Sequence, residues 1–267
     1  MAERAFDIRR LPGVATLAIG CFVILYIPMV ILVGNSFNAG KVIGHWEGVS
    51  LHWYVAALHN EAFLAAAQTS LLLATLAAFI ATITATMAAL ATTRAADFRG
   101  QGAIHLIVNQ PLMVPEIVLA IALLIILAQV KQATGYTGLG YLIAAHTTFC
   151  IPFAYMPIRA RLEGMDLSLE TAAADLYAGR FYTFRRVTLP LLAPGILAGF
   201  MLAFVVSLDD VVMSDFLKSP GQETLPTYLM GELRRNLTSE IYAISSLLLL
   251  ISVLIVAGSW AATRKKA

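Results

Sequence analysis

Four carboxylic acids, Glu116, Asp209, Asp210 and Asp215, interrupt stretches that are otherwise almost wholly apolar. An ionised side chain at the centre of a bilayer costs about 2.5 to 3.5 kcal/mol on insertion scales, so such groups usually face a cavity, an ion or a partner. Their chemistry is cation binding or proton transfer. Glu116 follows Pro111 and Pro115, and each proline removes a helical backbone bond and can bend or open the helix, which suits a gated, water-lined route. Neighbouring helical residues diverge by about 100°, so one of Asp209 and Asp210 can line a pathway while the other bonds inside the protein. Asp215 has Lys218 nearby as a partner or marks a wetted helix end. His146 and Tyr155 occupy another apolar segment. Packing is the plainer role for His146, whereas Phe149 and Tyr155 can add cation–π attraction for a bound cation. Such a route must bind its cargo weakly to release it, so tight capture belongs on a separate protein.

These groups need a membrane around them. Of the 267 residues, 59% are apolar or aromatic and 13% are charged, against roughly 45 to 50% and about 25% in soluble domains. Too little polar surface exists to enclose a core, and lipid must be the solvent. A net charge of +2 without a basic, aromatic-interleaved cluster gives no footing for nucleic acid, and the apolar content excludes disorder. Cys21 and Cys150 lack CxxC or Cys/His spacing, so neither a metal site nor a disulfide framework is indicated. Phosphate-loop, HExxH and GxSxG motifs are all missing, so the chain is not expected to hydrolyse ATP, to be an enzyme or to need a cofactor.

About 20 apolar residues make a helix that crosses the hydrocarbon. Six segments qualify: Leu11 to Gly34, Phe63 to Thr92, Ile104 to Val130, Gly140 to Ile158, Leu191 to Asp215 and Ile241 to Ala262. The expected fold is therefore an all-α integral membrane protein, one domain over residues 1–267. The apolar run after Arg4, Arg9 and Arg10 is too long for a signal sequence and reads as a retained first span. With the N-terminus in the cytoplasm, the inside segments hold those three arginines, Arg94, Arg99, Arg159, Arg161, Arg180, Arg185, Arg186, Arg264, Lys265 and Lys266, thirteen of the 18 cations. Lys41, Lys131, Lys218, Arg234 and Arg235 remain outside, so the positive-inside rule predicts two cytoplasmic termini. Trp46, Trp53, Tyr54 and Trp260 suit interfacial anchoring. Ala65, Ala66, Ala67, Ala74, Ala77 and Ala78 permit close packing of the second span. Counted from the inner ends, Glu116 lies roughly 18 to 21 Å up the third span and Asp209 roughly 22 to 28 Å up the fifth. His146 falls at a comparable depth, so these groups can share a level.

The loop after the fourth span is far longer than a turn requires. Met165, Leu169, Ala172, Ala173 and Leu176 fall on one arc of a helix, with Asp166 or Ser168 as its cap and Ala178 near its end. Pro190 and Pro194 mark the first turn of the next helix. Periodicity alone fits a helix lying on the bilayer as well as one docked to a partner.

Residues Glu170 to Pro190, ETAAADLYAGRFYTFRRVTLP, resemble the EAA loop of ABC importer permeases through Glu170, Ala172, Ala173, Val187, Leu189 and Pro190. Thr171 is extra where the family often has alanine, and Tyr177 stands at the usual turn glycine, with Gly179 two residues later. YIPMVILVGNSFN, PLMVPEIV, HTTFCIPFAY and SLDDVVMSDF extend the likeness to permeases of the spermidine/putrescine type over nearly the whole chain. The resemblance implies a type I importer permease in the bacterial inner membrane, with residues 161–189 as a cytoplasmic coupling loop. It implies a second permease subunit as partner, a cytoplasmic ATP-binding subunit dimer docked through Glu170 and its neighbours, a periplasmic binding protein and a small cationic substrate such as a polyamine. A different cargo (an amino acid, an opine or an iron chelate) and a proton-coupled secondary transporter using Glu116 with an aspartate are the alternatives. Against the latter stand the long amphipathic loop and the lack of an inverted repeat.

Overall fold

The computed structural model describes residues 13–41, 44–95, 98–235 and 238–264, with the side chains of 259–264 excepted. The expectations for Arg4, Arg9, Arg10, the start of the first span at Leu11, Lys265, Lys266 and the side chain of Trp260 lie outside what is described. The described residues form helices and no strand; a single bridge joins Asn38 to Val49. Twelve α-helices follow in order: α1 Val14–Asn35, α2 His52–His59, α3 Glu61–Thr93, α4 Gln101–Met113, α5 Glu116–Thr134, α6 Gly140–Glu163, α7 Ser168–Asp175, α8 Arg180–Thr183, α9 Leu189–Asp209, α10 Val212–Leu217, α11 Leu225–Arg235 and α12 Ser239–Arg264. A π-helical turn, Phe184–Thr188, joins α8 to α9. Six helices are long and apolar enough to cross a bilayer: Val14–Asn35, Glu61–Thr93, Glu116–Thr134, Gly140–Glu163, Arg180–Asp209 and Ser239–Gly258.

The bounds of four expected spans move by a few residues, and the third and fifth are redrawn. The third, read as continuous from Ile104 to Val130, is broken. Val114 is extended because the ring of Pro115 crowds the α conformation of the residue before it, and Glu116 opens a new helix. The fifth begins at Arg180 rather than Leu191 and stops at Asp209 rather than Asp215; Asp210 is extended and Val212 starts α10. Pro190 and Pro194 thus fall within a rod already under way. The missing N–H of Pro190 is tolerated beside the π turn, where the backbone pairing is already shifted, whereas Pro194 lies within regular α9.

The chain divides into two compact units. The first comprises residues 1–60 and 232–250. In it Tyr54 bonds Ser36 through their hydroxyls at 2.6 Å, the Asn38 side chain receives the amides of Gly40 and Glu47, and Asn60 donates to Glu240 at 3.0 Å. Helix α1 has no buried residue.

The second unit comprises residues 61–231 and 251–267 and is built on α3, α6 and α9 packed mutually. Ala66, Ala74, Ala77 and Ala78 are buried, as are Ala81, Ala85 and Ala89 beyond them, whereas Ala65 is exposed. Small side chains let the α3 backbone come close to its neighbours. On the α6–α9 contact, Gly199 is the counterpart: a Cβ there would stand 2.7 Å from the Ala154 carbonyl oxygen. Cys150 is buried and lies 3.4 Å from the Ala203 carbonyl, as a packing thiol.

Candidate functional site

The two helix breaks meet. Helix α5 packs on α10, which brings the Glu116 carboxyl beside Asp210. Asp210 is buried, and its Oδ1 receives the Ser214 amide at 3.0 Å, closing the first turn of α10. His146 on α6 is fully buried beneath this pair. Its Nδ1 meets Ser207 Oγ at 2.9 Å, its Nε2 meets Ser214 Oγ at 3.1 Å, and Nε2 stands 3.8 Å from Asp210 Oδ1. Ionised carboxylates only accept hydrogen bonds, and Asp210 Oδ2 has no donor among the described residues. No lysine or arginine pairs with Glu116 or Asp210 among them either. Glu116, Asp210 and His146 thus come together here, in place of the expected grouping of Glu116, Asp209 and His146.

The other expected site residues separate. Asp209, one position earlier, is exposed, because the break at Asp210 turns the chain. Asp215 pairs with Lys218 at 3.0 Å. Tyr155 is buried, and its hydroxyl meets Thr92 Oγ1 at 2.9 Å and His105 Nδ1 at 3.2 Å. It ties α3, α4 and α6 together. The serines around His146 carried no signal in the sequence, since Ser207 and Ser214 acquire meaning only when the break folds α10 back.

Across the 162–190 loop, α7 ends sooner than Ala178. Asp166 Oδ1 takes the Ser168 amide at 2.9 Å, which holds the Asp166 carboxyl below the ordinary carboxylate range. At the other end the Tyr177 amide donates to the Ala174 carbonyl and the Ala178 amide to the Ala173 carbonyl, the paired bonds of a Schellman cap. That cap requires a left-handed residue, and Tyr177 supplies it with φ 60°. Gly179 has φ −65° and does not relieve it. Tyr177 is 99% exposed, Leu176 82%, Phe181 76% and Tyr182 60%. The apolar stripe expected on α7 therefore has no partner within this chain for its Leu176 end, while Leu189 is half-buried and Pro190 exposed. Ala173 is half-buried and Ala172 exposed. Glu170 instead faces inward: its Oε1 receives Arg94 Nε at 3.3 Å and Thr188 Oγ1 at 3.0 Å.

A six-span helical subunit with broken helices around buried acids and an amphipathic loop bared on one side is a membrane transport component. Residues 81–264 match the family model for the binding-protein-dependent transport system inner membrane component, and the chain belongs to that family. It is similar to the spermidine/putrescine transport system permease protein PotC of Escherichia coli (strain K12), 35% identical over 242 residues covering 91% of this chain and 90% of that one. The putrescine transport system permease protein PotI of the same strain is 36% identical over 231 residues, covering 85% and 82%. Among solved structures, a bacterial ABC transporter involved in import of the acidic polysaccharide alginate aligns at TM-score 0.72 and 18% identity over 94% of both chains. An inward-facing MetNI methionine ABC transporter aligns at 0.64 and 16%, over 82% of this chain and 100% of that one. These likenesses give the fold, that of a type I ABC importer permease. The protein is an inner-membrane permease subunit and not an enzyme, and the family sets aside the gradient-driven carrier.

Proposed function

We propose that this chain, with a second permease subunit, forms a route for polyamines or closely related small amines, fed by a periplasmic binding protein and driven by a cytoplasmic ATPase dimer. The relatives named for spermidine and putrescine transport support the cargo class. The observation that carries it is the acidic level at the two helix breaks, with Glu116 half-buried against Asp210 and Asp209 exposed beside them. Adjacent carboxylates without a counter-ion repel one another when ionised. A chain of ammonium groups relieves that repulsion without a fixed protein cation competing. Broken helices at membrane depth are tolerated where they line a cavity, and the acids here are held by such breaks. In this reading Glu116 and Asp209 meet the cargo, while Asp210 and His146 hold the break in shape.

The loop at residues 161–189 is the coupling element. Its exposed Leu176, Tyr177, Phe181 and Tyr182, rimmed by the exposed cations Arg180, Arg185 and Arg186, suit an apolar groove with an acidic margin on the ATPase. Both termini lie in the cytoplasm.

Proteoliposomes holding both permeases and the ATPase, supplied with the capture protein and ATP, test the route with labelled spermidine and putrescine. Glu116→Ala or Asp209→Ala lowers uptake by about tenfold or more while assembly persists, an effect of the size expected for a desolvated charge contact. Parental kinetics in both variants would sink the acidic route. Uptake of an amino acid or iron chelate in place of the amines would reassign the cargo.

A further inference from the structure

We infer that Arg94, at the inner end of α3, is a positioning residue that locks the coupling loop to the transmembrane helices, so that a push on α7 moves α3, α6 and α9 together. This rests on the coupling role proposed for residues 161–189. Arg94 follows Thr93, the last residue of α3, and uses two different nitrogens. Nε donates to Glu170 Oε1 on α7 at 3.3 Å, and Nη2 donates to the Leu162 carbonyl, near the end of α6, at 2.9 Å. The same Glu170 oxygen receives Thr188 Oγ1, the last residue of the π turn that leads into α9. Four elements therefore converge on one guanidinium–carboxylate contact.

The geometry separates this from a surface ion pair. The side chains of Arg94 and Glu170 are 16% and 23% exposed, Thr188 is buried, and Leu162 is fully buried. An exposed pair moves freely and contributes little; a half-buried pair with each partner bonded twice has one geometry. A cavity lined by Leu90, Arg94, Glu170, Ala174, Arg180 and Phe184 opens beside the contact. Little packing backs α7 on that side, because α7 itself buries no residue. Beyond its chain connections and its light contact with α8 and the π turn, α7 is tied to the transmembrane helices through these fixed bonds. The π turn adds the second feature: a shifted hydrogen-bond ladder at the base of α9 is where the rod yields, and the Thr188 bond fastens that point to α7. Glu170 thus acts inside the subunit, and the ATPase meets the exposed side chains around Tyr177.

The guanidinium shape is required. A lysine ammonium has three N–H donors, but all on one nitrogen, and does not span the two positions from which Nε and Nη2 reach the Glu170 carboxylate and the Leu162 carbonyl. Arg94→Lys behaves as a loss, although charge is conserved.

The test uses the assembled transporter in proteoliposomes, with cargo moved per ATP hydrolysed as one readout. The other is photo-crosslinking to the co-expressed ATPase from Asp175→Cys alkylated with a benzophenone maleimide, in a Cys21→Ser background. In Arg94→Gln and Arg94→Lys the cross-link persists and cargo moved per ATP falls by about tenfold, within the range of a lost coupling contact. Arg94→Gln combined with Glu170→Gln loses no more than the worse single variant, because both remove one contact. Should Arg94→Gln fail to assemble, Thr188→Val removes a single hydroxyl and supplies the same comparison. A persisting cross-link with parental coupling in the Arg94 and Thr188 variants overturns the inference, as do independent, multiplying losses in the double variant. A parental transporter that gives no cross-link overturns the coupling role itself, and the inference with it.

Discussion

At the scale of single residues, Tyr177 carries two opposed demands. Its backbone occupies the left-handed region at φ 60°, where an L side chain costs about 1 to 2 kcal/mol relative to the right-handed helix. Its ring is 99% exposed and so gains no burial within the chain. A strained, exposed aromatic at the end of α7 is accounted for if, in the proposed coupling role, the ring is buried against the ATPase. Tyr177→Gly should relax the cap, slowing hydrogen exchange at Leu176 to Ala178 several-fold, and should weaken ATPase binding by about tenfold through the lost ring. Tyr177→Phe keeps both strain and ring and should change neither. If Tyr177→Gly binds the ATPase like the parent, the ring is no contact; if exchange is unaltered, the cap is not strained. The glycine expected at this position on family resemblance thus has a physical reason, the C′ site of a Schellman cap, and the sequence offered Gly179 as a false substitute. Residues whose role depends on backbone φ are the hardest to read from a string of letters.

Among the elements, close helix packing was legible and helix ends were not. An alanine-rich α3 announces tight contact, and six apolar runs announce six spans. The breaks at Val114 and Asp210 were hidden because both flanks are apolar enough to continue a span. Only Pro115 signals the first of them, as a residue that can bend or open a helix. Nothing in SLDDVVMSDF distinguishes a helix that ends at Asp209 from one that runs on; the difference is made by Asp210 capping α10 through the Ser214 amide. The count of helical rise to Glu116 runs through the break at Val114, so the meeting of Glu116, Asp210 and His146 comes from the contacts of the folded chain and not from that count. The α6–α9 contact supplies a prediction at this scale. A methyl group at Gly199 would stand 2.7 Å from the Ala154 carbonyl oxygen and 3.1 Å from Ile158 side-chain carbons. Backbone cannot yield as a flexible side chain does, so Gly199→Ala should cost about 1 to 3 kcal/mol through overpacking. The readout is a drop in melting temperature of the purified subunit in detergent. Gly20 in α1 meets nothing within 4 Å, and Gly20→Ala should leave that temperature unchanged or raised. Equal effects at the two glycines would mean that α6 and α9 are less tightly apposed than their geometry requires.

On the scale of the whole molecule, orientation decides whether the coupling surface and the acidic level serve one machine. The exposed Arg180, Arg185 and Arg186 flank the apolar face of the loop, whereas Lys131 and Lys218 lie toward the ends of other segments, held by Ser219 at 2.9 Å and by Asp215. The proposed orientation, with Arg180, Arg185 and Arg186 on the cytoplasmic side, puts Tyr177 within reach of a nucleotide-hydrolysing subunit. Reversal would place the coupling helix where no ATP exists, so the two functional regions stand or fall together on topology. In a background of Cys21→Ser and Cys150→Ala, single cysteines report this directly. A membrane-impermeant thiol reagent applied to intact cells should label Ser50→Cys at once, and should label Ala172→Cys and Arg185→Cys only after the membrane is opened. Ser50 is half-buried beside an exposed loop and the other two positions are exposed, so a lack of labelling at the latter before opening reflects the membrane and not burial. Docked ATPase should then slow labelling of Arg185→Cys in opened vesicles, and release of the ATPase should restore it. Labelling of Ala172→Cys in intact cells would invert the topology and separate the coupling loop from any source of ATP.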